Sequence, residues 1–297
     1  GGWKGGPGGM TAVFRREMGA YFHGVTGYLF MAFVLVFAGI YTMVYNLSGL
    51  YANFEYVLDA ISFIYLIAVP VLTMRSLAEE KRQRTDQLLY SLPIRLVDVV
   101  AGKYLAMLVV LAAPTAVMGL YPLLLSRFGS VYLPTAYASL LAFFLLGAAL
   151  LAIGLFISSV SESQMGSAVV CLATMLLLFF LPSLASYVPT TPSASLVALM
   201  VLAVLVSSVV YRLTRNSLFG MGLLIVLAGG LFAWFGADEA AFAGLFASIL
   251  DALSVFNRFY PFINGIFDFT SVVYYLSLCG VFLFLAVQAL EKRRWNE

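Results

Sequence analysis

The sequence predicts an all-α fold, a polytopic membrane bundle of about eight spanning helices. Hydrophobic residues make up 63% of the 297 residues and charged residues only 10%, and the mean hydropathy is +1.00. About a quarter of the residues of a soluble domain are charged, so this composition excludes that class of protein. The apolar residues are gathered into runs of roughly 20, the length with which a helix crosses the hydrocarbon core.

The N-terminal segment is predicted to lie at the membrane surface. Residues 1–9, GGWKGGPGG, have no apolar periodicity and are interpreted as a flexible leader or expression remnant ahead of a single transmembrane domain, residues 10–297. A short amphipathic helix over 11–22 is expected next, with a junction at Gly24. The residues expected to face water are Arg15, Arg16 and Glu17. Those expected to face lipid are Val13, Phe14, Met18, Tyr21 and Phe22.

Eight apolar runs are long enough to be read as spans. They cover residues 25–45, 56–74, 97–125, 135–158, 167–187, 195–211, 217–235 and 271–290. The third run contains Pro114 and Pro122, which predict a bend. The sixth and seventh runs leave two alternatives open: two spans joined by a turn, or re-entrant segments in a six-span protein. Arg212 and Arg215 between them favour the turn.

The positions of Lys and Arg predict the orientation. With the N-terminus in the cytoplasm, every Lys and Arg except Arg127 and Arg258 falls on the cytoplasmic side. Cytoplasmic loops are enriched in these residues. Both termini are therefore predicted to be cytoplasmic.

The longest polar insertion between two predicted spans lies on the predicted cytoplasmic side. It covers residues 75–95, and we call it the polar loop. On a helical wheel one side carries Leu77, Thr85, Leu88, Leu89 and Leu92, and the opposite side carries Glu79, Gln83, Asp86 and Tyr90. This pattern predicts one amphipathic helix, or two short ones broken near Arg84. Thr85 is a candidate N-cap, and Pro93 disfavours continuation of the helix. The alternative is a solvated loop whose leucines lie on lipid headgroups.

Several motifs in and after this loop resemble a known family. They are Arg75, Glu79-Glu80-Lys81, Thr85, Leu88-Leu89, Pro93-Ile94 and Gly102-Lys103-Tyr104. Together they resemble the first cytoplasmic loop of ABC-2 type transporter permeases, most closely the gliding-motility-associated (GldF-type) branch. Two positions depart from that pattern, because Arg84 stands where glycine is usual and Gln87 where glutamate is usual.

The resemblance implies a permease subunit of an ATP-driven exporter in a bacterial-type cytoplasmic (inner) membrane. It implies an elbow helix at the N-terminus and a coupling helix in the polar loop. It also implies three partners: an ABC ATPase subunit that holds ATP and Mg, a second permease copy or paralogue, and an auxiliary membrane protein with an extracytoplasmic domain. The expected ATPase-coupling residues are Arg82, Arg84, Thr85, Asp86, Leu88, Leu89 and Leu92. An alternative is a subunit that passes ATP-driven motion to a partner without transport.

Residues 236–270 are expected to form an external helical loop before the last span. Six apolar residues recur at helical spacing and predict an amphipathic helix: Phe242, Leu245, Phe246, Ile249, Leu253 and Phe256. Gly265 permits a turn, and Asp268 is placed to cap the last helix. With Phe262 they resemble a signature of the same family. For Asp268, a role as a structural helix cap is favoured over direct contact with a substrate.

Other chemistry is largely excluded by the sequence. No Gly-x-x-x-x-Gly-Lys-Ser/Thr motif occurs, so ATP hydrolysis by that route is excluded, and no cofactor or metal is expected in this chain. No basic domain suggests nucleic acid. The spans are expected to contain no buried charge, which argues for energy supplied from outside the bilayer. A helical stripe of small residues, Gly147, Gly154 and Ser158, predicts close helix packing, within the chain in preference to a dimer contact.

Overall fold

The computed structural model describes residues 8–74, 76–78, 95–214 and 217–296. Within these ranges nearly every residue is helical and no strand is present. The predicted all-α class is therefore confirmed. Residues 1–7 of the predicted leader and most of the polar loop lie outside the described residues.

Thirteen α-helices make up the described part of the chain. They are α1 Gly8–His23, α2 Val25–Thr42, α3 Glu55–Ile61, α4 Tyr65–Thr73, α5 Leu96–Met118, α6 Leu120–Leu125, α7 Leu133–Val160, α8 Gln164–Tyr187, α9 Pro192–Thr214, α10 Ser217–Ala237, α11 Leu245–Leu253, α12 Tyr260–Ile263 and α13 Phe269–Asn296. A π-helical turn, Met43–Ser48, extends α2. Short 3₁₀ turns join α3 to α4 and lie on either side of α11.

Six stretches of the described chain are long and apolar enough to cross a membrane. They are Val25–Ser48, Glu55–Thr73, Leu96–Leu125, Leu133–Val160, Gln164–Tyr187 and Phe269–Lys292. Each coincides with a predicted span to within a few residues. The third comprises α5 and α6, separated at Gly119, and contains Pro114 inside α5.

The two remaining predicted spans correspond to α9 and α10. Helix α9 is 23 residues long, and the apolar stretch found within its described part is Pro192–Ser208. Helix α10 is followed by a bend, because Met221–Ala237 turns by 117° into Ala240–Leu253. The bend falls at the polar pair Asp238 and Glu239, where the Asp238 carboxylate accepts a hydrogen bond from the Ala241 N–H at 3.2 Å. The described residues thus contain six candidate spans, or seven at most with that bent pair, where the sequence predicts about eight.

The first of two compact units comprises the described residues up to Leu177 and those from Arg258 onward. Helix α7 lies at its centre, with mostly buried side chains. The helices that pack against α7 are α3, α4, α5, α6, α12 and α13. Helix α1 packs on α2 and α5.

The second unit, Leu178–Asn257, contains the end of α8 and helices α9 to α11. Helix α9 packs on α10 and α11. Phe242 is fully buried, with its ring 5.0 Å from that of Trp234 and 5.3 Å from that of Phe235. The helix α11 covers the middle of the predicted external amphipathic segment, while Phe242 lies in the preceding 3₁₀ turn.

The small residues of α7 pack against α4 and the residues that follow it. A Cβ atom at Gly147 would lie 2.8 Å from the Tyr65 hydroxyl, and one at Gly154 would lie 2.7 Å from Thr73 Oγ1. The Tyr65 hydroxyl donates to the Phe143 carbonyl at 2.9 Å. Because each glycine receives a side chain of the neighbouring helix, the predicted packing within the chain is confirmed.

This packing predicts that Gly154→Ala destabilises the fold by roughly 1–3 kcal/mol, the cost of an overpacked core. The new methyl group would meet the Thr73 side chain, which is fully buried. The measurement is unfolding in detergent by SDS titration. Gly280→Ala in α13 is the matched control, because no described atom lies within 4 Å of its added Cβ. Equal stability of the two variants would contradict the prediction.

Candidate functional site: the anchored start of the polar loop

The structure describes the two ends of the polar loop but not its middle. All of the predicted ATPase-coupling residues, and Pro93, lie outside the described residues: Arg82, Arg84, Thr85, Asp86, Leu88, Leu89 and Leu92. The described ends are Ser76–Ala78, directly after α4, and Arg95, which precedes α5. The first of these ends is held by two side chains distant in sequence, Ser158 and Lys103.

The first end is held by a serine of α7. The Ser158 hydroxyl oxygen accepts hydrogen bonds from the backbone N–H groups of Leu77, at 3.2 Å, and Ala78, at 3.1 Å. Leu77, Ala78 and Ser158 are all buried. Buried N–H groups need partners, so this single oxygen fixes the point at which the chain leaves α4.

The same end is also held by Lys103 of α5. Its side chain is 1% exposed. Its ammonium donates to Glu17 Oε1 at 2.9 Å and to the Ser76 carbonyl at 2.8 Å. One charge therefore joins three elements: α1, the start of the polar loop, and α5. We call these three residues, Glu17, Ser76 and Lys103, the lysine node.

Helix α1 approaches α5 closely beside the lysine node. Val13, Glu17 and Tyr21, spaced four residues apart, are buried on one face of α1. A Cβ atom at Gly102 would lie 3.0 Å from both the Met10 carbonyl oxygen and Val13 Cβ. The glycine that precedes Lys103 thus lets the two backbones come near enough for the ion pair to form.

Two predictions are wrong here. Glu17 was expected to face water, yet it is buried, and the spans were expected to contain no buried charge, yet Lys103 is buried within α5. The cause is pairing, because a buried charge is tolerated when a partner offsets its lost hydration. Val13 and Tyr21 are covered by protein, not by lipid. The four-residue spacing on α1 was the signal that could have revealed this face.

The electrostatics of Glu17 follow from this geometry. Burial raises the pKa of its carboxyl, but the Lys103 ammonium and the Arg16 guanidinium outweigh burial and hold the pKa below its ordinary value of 4.5. Arg16 Nη2 lies 2.8 Å from the same Oε1 atom. Glu17 is therefore an anion at neutral pH, and the lysine node is a charged pair.

The two described residues that the sequence singled out before the last span have clear local roles. Gly265 has φ +77°, and its N–H donates to the Phe262 carbonyl while that of Ile266 donates to Pro261, the pattern of a Schellman helix end. Asp268 accepts from the N–H groups of Thr270, at 3.0 Å, and Ser271, at 3.2 Å. The hydrogen bond from the Ser271 hydroxyl lowers the pKa of Asp268.

Residues 30–195 match the model of the ABC-2 family of transporter proteins, which is more than half of the 297 residues. The chain belongs to the ABC-2 transporter family. No curated protein matches it. This ABC-2 permease is thus a multi-pass membrane subunit of an ABC exporter, and a separate ABC ATPase is its partner. The matched range includes Ser76, Lys103 and Ser158, whereas Glu17 lies before it.

The lysine node predicts that Lys103→Met destabilises this permease by roughly 3 kcal/mol, since Glu17 then stays buried with only the half-exposed Arg16 as an ionic partner. The Glu17→Gln/Lys103→Met double variant should lose less than the sum of the two single variants. The check is a double-mutant cycle on unfolding free energies in detergent. Additive losses would show that the two side chains do not interact.

Glu17 also predicts a dependence of stability on pH. Its pKa is lower in the folded than in the unfolded chain, so its stabilisation is present above the ordinary carboxyl pKa and is lost as pH falls through the folded value. The melting temperature difference between the wild-type permease and Glu17→Gln should therefore stay constant from pH 7 down to about the ordinary value of 4.5 and shrink as the pH is lowered below it. A difference that stays constant or grows would contradict this assignment.

Proposed function

We propose that the polar loop of this permease receives the movement of the ABC ATPase and passes it to the spanning helices, which export a substrate. The observation that carries the proposal is the anchoring of the start of the loop. Ser158 holds the start of the loop to α7, and Lys103 ties the same start to α1 and α5. Displacement of the loop therefore acts on four helices, α1, α4, α5 and α7.

The packing around α4 supports this transmission. Thr73 and Tyr65 of α4 fit against the glycines of α7, and tightly packed helices transmit displacement because their side chains have little room to rearrange. Nucleotide binding shifts the permease between two packings only if it favours one of them. Because the start of the loop is anchored to these helices, a movement of the loop that the ATPase imposes favours one packing over the other.

Within the loop, we assign the contact with the ATPase to the leucine side of the amphipathic pattern. Leu88, Leu89 and Leu92 form the apolar contact, and Arg82, Arg84 and Asp86 set its register. Thr85 begins the helical segment, and Pro93 disfavours its continuation. The support is the sequence pattern together with membership of the ABC-2 family.

The wider arrangement follows from the sequence. The distribution of Lys and Arg supports cytoplasmic termini and a cytoplasmic polar loop in the inner membrane. The motifs of the polar loop favour the GldF-type branch of the family, with a second permease copy or paralogue and an auxiliary extracytoplasmic protein. Substrate movement in proteoliposomes distinguishes export from the alternative, in which ATP-driven motion acts on that auxiliary protein alone.

The proposal predicts that Leu88→Asp/Leu89→Asp reduces the ATPase retained by the purified permease at least about tenfold, because losing an apolar anchor of an interface costs about 2 kcal/mol or more. The measurement is the ATPase-to-permease ratio after co-purification in mild detergent, with the melting temperature of the permease as a check on folding.

A matched control is Leu253→Asp at the end of α11. Leu253 is 55% exposed and lies in the segment predicted to be external, so this variant should retain the full amount of ATPase. Full retention by the Leu88/Leu89 variant would refute the coupling assignment. Equal loss in both variants would refute it as well, since association would then not depend on the loop.

A further inference from the structure

An apolar groove runs between α1 and α5 in the first unit. Its volume is about 380 Å³. Helix α1 contributes Met10, Thr11 and Phe14, and Phe144 of α7 contributes to the lining. The α5 residues are Leu105, Leu108, Val109 and Ala112. Leu105 and Val109 are more than a third exposed, so the groove opens sideways along a membrane-spanning helix.

Positive charge flanks this groove. Arg15 is exposed and follows Thr11 by four residues, so on α1 its side chain lies on the same flank as Thr11, one turn further along. Arg16 is also exposed. Glu17 is the only acidic residue of α1, and it is paired with both Lys103 and Arg16. On α5, Asp98 lies seven residues before Leu105, and Arg95 precedes the helix. Arg15, Arg16, Arg95 and Lys103 against Glu17 and Asp98 leave a net charge of +2 on this side of α1 and α5.

These two features together match the chemistry of a membrane lipid. The outer side of α5 is surrounded by hydrocarbon, and an apolar groove open to hydrocarbon accommodates acyl chains. Arginines on a surface helix attract anionic headgroups. We propose that the groove binds an acyl chain of an anionic phospholipid whose phosphate is bound by Arg15.

The site lies next to the lysine node but differs from it. The groove uses Met10, Thr11 and Phe14, whereas the node lies on the face formed by Val13, Glu17 and Tyr21. A lipid seated there contacts α1 and α5 together and adds to the packing that holds them. The inference does not depend on the role assigned to the polar loop, because lipid binding is measured without the ATPase.

The test places a tryptophan in the groove. Leu105→Trp is made in a background in which Trp3, Trp234 and Trp295 are replaced by Phe, and the permease is reconstituted in phosphatidylcholine vesicles. Quenching by brominated phosphatidylglycerol is compared with quenching by brominated phosphatidylcholine. We expect about a fivefold preference for phosphatidylglycerol, as for one basic residue at a membrane surface.

Two further variants isolate the cause. Arg15→Gln should reduce the preference at position 105 to near one, whereas Arg15→Lys should keep most of it. Val169→Trp is the matched control, because Val169 is 67% exposed on α8 and no Lys or Arg lies between Phe128 and Tyr211. This control should show no preference between the two lipids.

Three outcomes would overturn the proposal. Equal quenching by the two lipids at position 105 would show an ordinary lipid-facing surface. No quenching at position 105 would show that protein, such as a second copy of the chain, covers the groove. A preference unchanged in Arg15→Gln would remove Arg15 from the site. Native mass spectrometry of the wild-type and Arg15→Gln permeases in the same lipids repeats the comparison without tryptophan substitutions.

Discussion

The first unit of this permease depends on the hydrogen bonds that the buried ammonium group of Lys103 makes with Glu17 and Ser76. Lys103 belongs to a spanning helix and is shielded from water, so its charge is tolerated only with acceptors at hydrogen-bond distance. Those acceptors come from α1 and from the start of the polar loop. Because neither acceptor can be withdrawn without leaving a charge in a poorly solvated site, three elements are constrained at one point.

Helix α7 imposes a second constraint by shape. Helices in a membrane gain no hydrophobic driving force from contact with each other, so they associate through close packing and hydrogen bonds. The glycines of α7 provide the close packing with Tyr65 and Thr73. The hydroxyls of Ser139 and Ser158 provide hydrogen bonds, to the Phe262 carbonyl and from the loop amides respectively. The glycines and serine hydroxyls of α7 thus hold α4, the start of the polar loop and α12 in place within the first unit.

Much of this architecture could be predicted from the sequence, because the thickness of the hydrocarbon core sets the number of consecutive apolar residues that a spanning helix needs. The boundaries of six spans and the small-residue stripe of α7 required only apolar run lengths and helical spacing. The lysine node could not be predicted in that way, since Lys103 and Glu17 are 86 residues apart and each alone resembles an interfacial charge. Asp238 and Glu239 mark in the sequence the point at which the apolar run is interrupted. Whether the helix ends or bends at that point depends on tertiary packing, which local composition does not encode.

The anchoring of the polar loop by α7 has a consequence for biogenesis. Ser158 follows Leu77 by 81 residues, so the amides at the start of the loop have no partner in α7 until the fourth candidate span leaves the ribosome. Lys103, by contrast, meets Glu17 as soon as α5 enters the bilayer, because α1 has already been synthesised. The ion pair between Lys103 and Glu17 therefore forms first, and the hydrogen bonds to Ser158 form later. The start of the loop is thus fixed in two stages of insertion.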